Sequence, residues 1–210
     1  MIRPKVIAFT ISDKVGGANI GTARIFNQLI KEYPDLINYY VLSKSSTNYR
    51  IKSLFRGGPF YDKYLKIIQI ILKKLFIKKP IYNSLFSFNI IPSLIDIALI
   101  IRSINVECIY LHWIGRGAIS IYYFLFLALT NSTKKIVIKF ADEFYLTGGC
   151  HYITDTHLFS SSDKLKASPL NILGQIIFKF QKKVLHFSLR NLKNLSIITP
   201  SLWMFRRTKE

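Results

Sequence analysis

Asp142 and Glu143 stand at the exit of an apolar run, Lys135 to Ala141, and Thr147, Gly148, Gly149, Cys150, His151 and Tyr152 follow closely. Carboxylates beside paired glycines and a histidine make a loop that can hydrogen-bond the hydroxyls of a polar ligand while its backbone comes close; Asp142 is the first candidate for moving a proton. His112 is the second. It closes the apolar run that begins at Glu107, and with Trp113 it would bring an imidazole and an indole to the mouth of a cleft. A lone histidine at a strand end is more often structural, so its candidacy rests on the sequence around it. Gly16 and Gly17, in SDKVGGANIG, lie between another apolar run and an amphipathic stretch. Free N–H groups at a helix start there attract a phosphate or carboxylate, and missing side chains let the ligand approach. The loop lacks both GxGxxG spacing and the Lys-Ser/Thr pair of a P-loop, so neither a dinucleotide fingerprint nor a nucleotide triphosphatase is supported. The residues around His151 contain no Ser/His/Asp order and no HExxH, which leaves hydrolase chemistry without a positive sign.

Strands have to position these loops. Lys5 to Ile11, Tyr39 to Leu42, Glu107 to His112, Lys135 to Ala141 and Ser196 to Thr199 are short apolar runs rich in β-branched residues. Between them lie helical stretches: Thr22 to Lys31, Pro92 to about Ser103, Ala118 to Leu129 and Asn171 to about Leu192. Strands that read as continuous apolar runs, alternating with helices, predict an α/β protein: a Rossmann-like parallel sheet with helices on both faces. In such a sheet ligands bind at the carboxyl ends of the strands, here the loops after Ile11, His112, Ala141 and Thr199. A long loop rich in Gly, Ser, Thr and Asp is expected from Asp142 to about Pro169.

Half of the 210 residues are hydrophobic and 14% are aromatic, enough apolar surface to offset the ordering entropy of one core. Thirty Lys and Arg against 11 Asp and Glu leave a net charge of +19, which draws the chain to an anionic partner: phosphate groups, nucleic acid or a negatively charged membrane face. No RNP aromatics, zinc-finger spacing or recognition helix accompanies that charge, so nucleic acid is not the expected partner. Cys108 and Cys150 make no CxxC or Cys/His ligand pattern, which points to a reducing compartment and no structural zinc. The first apolar run, Val6 to Ile11, is too short for a signal-peptide core, and the longest runs are interrupted by Pro92, Asp96 or Arg116, so no membrane span is expected.

Charge is concentrated from Tyr49 to Lys79, with nine basic residues and one acid, Asp62. At 100° per residue, KYLKIIQIILKKLFIKK groups Lys63, Lys66, Gln69, Lys73, Lys74 and Lys78 on one side. Tyr64, Leu65, Ile68, Ile71, Leu72, Leu75 and Phe76 fall on the other. This is the pattern of a basic amphipathic helix lying on an anionic membrane surface, where each Lys contributes up to about 1 kcal/mol; an ordinary packing helix with a solvated lysine face would look the same.

Taken together, SDKVGGANIGTARIFNQLI, NVECIYLHWIGRGAISI, KKIVIKFADEFYLTGGCHY and NLSIITPSLWM resemble the amino-terminal half of family 4 glycosyltransferases, specifically bacterial ones that build exopolysaccharide or lipopolysaccharide O-antigen. LHWI and TGGCHY at their spacing carry the likeness; Tyr49 to Leu94 is unmatched. The resemblance implies the N-terminal half of a GT-B fold, with residues 1–210 a single acceptor-side domain bearing a basic amphipathic insertion at about 49–94 and the donor domain outside these residues. It implies retaining transfer of a sugar from a nucleotide diphosphate donor to a lipid-linked glycan, with no cofactor and no metal. Position by position, Gly16 and Gly17 match the first glycine loop, His112 the histidine ending the LHW strand, and Gly148 and Gly149 the paired glycines of the cleft loop.

Relatives place a histidine immediately before the aspartate matching Asp142; here the residue is Ala141, which can neither hydrogen-bond a hydroxyl nor exchange a proton. None of Glu32, Glu107, Glu143 and Glu210 forms the ExxxxxxxE pair with which relatives bind the donor, so the resemblance implies a truncated transferase inactive by itself, which either acts with a separately encoded donor domain or is left over from a disrupted gene. The expected substrate-binding residues are Gly16, Gly17, Trp113, Gly148, Gly149 and His151. The expected location is cytoplasmic, peripheral at the inner face of the cytoplasmic membrane, with Lys63, Lys66, Lys73, Lys74 and Lys78 against the lipid. The alternative reading is a non-catalytic module that holds a membrane surface or a glycan.

Overall fold

The computed structural model of the protein describes residues 5–14, 17–44, 50–54, 58–78, 86–112, 117–130, 132–140, 142, 144–147, 149–151, 169–201 and 206. Chain order is β1 (Val6–Ser12), α1 (Gly17–Glu32), β2 (Ile37–Ser43), β3 (Ile51–Ser53), α2 (Gly58–Phe76), α3 (Leu94–Ser103), β4 (Cys108–His112), α4 (Ile121–Leu129), β5 (Lys135–Lys139), α5 (Phe144–Thr147), α6 (Ile172–Asn191) and β6 (Leu195–Ile198). The six strands form one parallel sheet in the order β3-β2-β1-β4-β5-β6. Register is set by Val6 opposite both Ile37 and Cys108, Cys108 opposite Lys135, and Ile136 opposite Leu195. This is the Rossmann order, in which the direction of winding reverses between β1 and β4.

Alternation along the strands sends apolar side chains to both faces. Ala8, Tyr39, Val41 and Ile51 pack against Ala23, Phe26 and Ile30 of α1, with Phe26 stacked on Tyr39 at 5.2 Å between centroids. On the opposite face Phe9, Leu111 and Ile138 meet Leu99 of α3, Phe124 of α4 and Leu185 of α6. Helices therefore cover both faces, as the apolar runs predict. Helix α3 begins at a capping box: the Ser93 side chain accepts from the Asp96 amide, and an Asp96 oxygen accepts from the Ser93 amide at 2.9 Å. The other Asp96 oxygen accepts from the Ser120 amide at 3.0 Å, which ties the start of α4 to the start of α3.

Within residues 49–94, β3 joins the edge of the sheet, and residues 86–89, Phe-Ser-Phe-Asn, run through the interior. An extended buried segment must satisfy its backbone groups without a neighbouring strand. Two glutamines do this. Gln69 of α2 donates to the Phe88 carbonyl at 2.6 Å and accepts from the Phe88 amide at 3.0 Å. Gln181 of α6 accepts from the Asn89 amide at 2.7 Å and donates to the Ser87 carbonyl at 3.1 Å. The Ser87 amide reaches the Gly149 carbonyl, and the Asn89 carbonyl takes the Ile121 amide. All six main-chain polar groups of residues 87–89 are paired. This corrects the expectation for Gln69: it lies among Leu65, Leu72 and Phe76 on the buried stripe and is 5% exposed, because its amide substitutes for a strand.

Candidate functional site

β1, β4 and β5 are neighbours, so their carboxyl ends meet at the winding reversal, where a Rossmann-like sheet takes its ligands. Ser12 ends β1 and Asp13 follows it, both buried, and Thr10 donates to Asn19 of α1 at 2.6 Å. Gly17 is the first residue of α1, which places a helix start at this edge. His112 ends β4 opposite Lys139, at 0% exposure, so protein encloses its ring on every side. Gly16, Trp113, Ala141, Glu143 and Gly148 lie outside the described residues.

After β5 the chain is folded by local hydrogen bonds. One Asp142 oxygen accepts from the Phe144 amide at 3.0 Å, an Asx turn that starts the short helix α5. Thr147 Oγ1 accepts from the Cys150 amide and donates to the Cys150 carbonyl, closing the loop on itself. Gly149 holds φ +143°, and a β-carbon there would meet Gln181 Nε2 at 2.6 Å and the Ser87 carbonyl at 2.9 Å. Its missing side chain is thus filled by the protein's own interior segment.

His151 lies at the centre of a relay. Its Nδ1 is 2.7 Å from Asp142 Oδ2 and its Nε2 is 2.6 Å from Ser87 Oγ. A carboxylate partner takes the Nδ1–H proton, and in that tautomer of the uncharged ring Nε2 accepts from the Ser87 hydroxyl. The Ser-His-Asp order that is missing from the local sequence is present in space, across 64 residues. That order of bonds is also the one that activates a serine nucleophile. Burial decides against that role here: Ser87 is 1% exposed on the interior segment, leaving no approach for an acyl group to its oxygen. The relay instead clasps the β5 loop to residues 86–89, reinforced by the Phe86–Cys150 bridge and by Phe144 stacked on the imidazole.

Three tyrosines on the sheet or packed beside it have raised pKa values. Burial pushes the Tyr110 phenol up to about 12. Burial raises Tyr145 further, aided by the charge of Asp142, and burial with help from Asp13 raises Tyr39. All three remain phenols at neutral pH. The hydroxyls of Tyr39 and Tyr145 are buried with no hydrogen-bond partner among the described residues. No group of histidine, cysteine and acidic residues able to hold a metal ion occurs among the described residues.

The lysines sit elsewhere, on α2. Lys63, Lys66 and Lys74 are exposed, and Lys66 pairs with Asp62 at 2.6 Å. The helix ends at Phe76, so Lys78 is not on it; its amide joins the Pro169 carbonyl and holds the start of the α6 segment. The apolar side expected of this helix divides in two: Leu65, Leu72 and Phe76 enter the core, while Phe60, Tyr64, Ile67, Ile71 and Leu75 form an exposed stripe, with Phe60 at 83%. No described helix is long and apolar enough to cross a membrane.

The structure holds Asp142, Gly149 and His151 in one loop and adds Ser87, Gln181 and Asn89, which the sequence reading did not single out, together with Gln69, which it placed on the lysine side of α2. A visible signal did exist for the glutamines, since each stands at helical spacing within an otherwise apolar stripe. Comparison with family models, curated proteins and solved structures finds no match to this chain.

Proposed function

We propose that this chain is a glycosyltransferase-like protein of surface polysaccharide biosynthesis, its Rossmann-like sheet forming the acceptor-side half of a GT-B arrangement. On this reading a sugar passes from a nucleotide diphosphate donor, held by a second unit, to a lipid-linked glycan. The supporting observation is the convergence at the winding reversal. The start of α1, the end of β4 and the β5 loop are the segments that resemble the transferase family, and the parallel sheet brings their strands side by side. Because Asp142 and His151 are bound to each other and to Ser87, their role on this reading is to fix the loop that faces the acceptor. The test is calorimetric titration with lipid-linked or free glycan and, separately, with UDP- and GDP-sugars. Glycan is expected to bind. Tight nucleotide-sugar binding within these residues would overturn the assignment to the acceptor half.

A second reading, a membrane-surface module without catalysis, is favoured by the exposed stripe of α2 beside its lysines. Flotation with anionic vesicles distinguishes it: Lys63→Glu/Lys74→Glu is expected to lower vesicle binding severalfold, and equal flotation would remove the surface role.

A further inference from the structure

Helices α2, α3, α4 and α6 share one layer. Leu65, Leu99, Phe124 and Leu185 pack from them into one core cluster with Phe9, Leu111 and Ile138, on the sheet face opposite α1. Side chains opposite each buried stripe therefore point away from the sheet in a common direction. On α2 these are Phe60, Lys63, Ile67 and Lys74, all exposed. On α3 they are Leu94, Ile97 and Ile101, the last 61% exposed. Helix α4 adds Phe126 and Leu129, and α6 adds Ile176, Lys179 and Lys183. Helix α1, alone on the other face, has the opposite character: Arg24, Gln28, Lys31 and Glu32 are its exposed outer residues, and Gln28 donates to Glu32 at 3.0 Å. Apolar residues outermost on every helix of one layer, and not on α1, mark an interaction surface rather than scattered exposure.

The charge on this surface has one sign. The acids of the four helices are Asp62, paired with Lys66 at 2.6 Å, and Asp96, buried in its capping box. Lys63, Lys74, Lys179 and Lys183 stand on the same outward side as the isoleucines. Two copies set face to face would oppose these cations to one another. An anionic bilayer suits both kinds of residue: the apolar side chains enter the acyl boundary, while the lysine stems lie along them and carry their ammonium groups to the headgroup phosphates.

We propose that the outer surface of the α2, α3, α4 and α6 layer lies flat on an anionic lipid bilayer. This rests on the membrane-surface reading above and extends it from one helix to the whole layer. The sheet then runs parallel to the bilayer with α1 farthest from it. The carboxyl ends of β1, β4 and β5 open sideways, along the membrane.

The test floats the full chain with vesicles of phosphatidylcholine alone and of phosphatidylcholine mixed with phosphatidylglycerol. Binding is expected on the mixed vesicles. Lys179→Glu/Lys183→Glu on α6 should weaken it about tenfold or more, and Arg24→Glu/Lys31→Glu, the same change of charge on α1, should leave it within about twofold. Ile101→Glu should weaken it severalfold. On the mixed vesicles the emission of Ile176→Trp should move to shorter wavelength and be quenched by brominated acyl chains, and Gln28→Trp should show neither effect. Equal losses in the α1 and α6 variants would reduce the attraction to net charge and overturn the proposal. So would bound Ile176→Trp that stays unquenched, or a dimer in sedimentation that Ile101→Glu abolishes. A loss confined to Lys63→Glu/Lys74→Glu, with the α3 and α6 variants binding like wild type, refutes the layer and leaves the α2 reading standing; a wild-type chain that stays off the mixed vesicles refutes both.

Discussion

Replacing Gln181 by methionine keeps the length and bulk of the side chain and removes only its amide. Two buried main-chain groups then lose their partners: the Asn89 N–H, now 2.7 Å from Oε1, and the Ser87 carbonyl, 3.1 Å from Nε2. Each orphaned group costs about 1–3 kcal/mol, so Gln181→Met is expected to lose about 2–6 kcal/mol. That is a large part of the roughly 5–15 kcal/mol that holds a domain together. For a chain of this size the same loss lowers the melting temperature by roughly 4–24 °C. Urea unfolding gives the free energy, and native-state hydrogen exchange gives the location. The Asn89 amide should be among the slowest to exchange in the wild type and should lose that protection in the variant. A variant within about 1 kcal/mol of wild type, or unchanged Asn89 exchange, would refute the view that the glutamines stand in for a strand.

Gly149→Ala imposes a strained φ and sets a β-carbon 2.6 Å from Gln181 Nε2; urea unfolding should register a loss of at least about 2 kcal/mol, and a loss under about 0.5 kcal/mol would mean the loop sits elsewhere. Ser87→Ala and His151→Ala should each cost about 1–3 kcal/mol, with a coupling of about 0.5–3 kcal/mol in the double variant; strict additivity would mean the two side chains do not touch. His186 donates from Nε2 to the Leu146 carbonyl at 2.8 Å, and burial, assisted by Lys182 and Arg190, lowers its pKa from 6.5. The unfolded chain therefore binds a proton first. The contribution of His186 is complete above pH 6.5 and is lost as pH falls through the depressed value, and His186→Gln should flatten that part of the stability curve.

The parallel sheet was legible because its strands are apolar on both faces. Continuous runs such as VIAFTIS and KIVIK have few other stable arrangements. β3 was not legible, since Ile51–Ser53 is only three residues long and sits among basic ones. Helix α2 was half legible. Its 3.6 period is plain, but a glutamine counted as polar was assigned to the solvent side, because hydropathy cannot tell a solvated amide from one bonded to an interior backbone. Within the candidate site, Asp142 and His151 are nine residues apart and could be grouped by eye. Ser87 comes from a segment with no periodicity at all, and only the crossing of residues 86–89 beneath the β5 loop brings it to the imidazole.

The relay also limits how the carboxyl edge can meet a ligand. Both Asp142 oxygens and both imidazole nitrogens of His151 are already engaged, with Phe144, with Ser87 and with each other. A sugar hydroxyl that recruited His151 would have to break a hydrogen bond to the Asp142 carboxylate or one to Ser87, of about 1–3 kcal/mol, and would return a bond of similar size. No net affinity follows, and the Phe144 stack and the loop closure would be put at risk. Binding should therefore select the intact relay and draw on the loop's backbone. The imidazole Nδ1–H proton reports this directly: held by a buried carboxylate, it exchanges slowly and resonates far downfield in NMR spectra. It should persist unchanged when glycan is added, and its loss at saturation would show that His151 turns to the ligand and that the clasp is a catalytic or binding group after all.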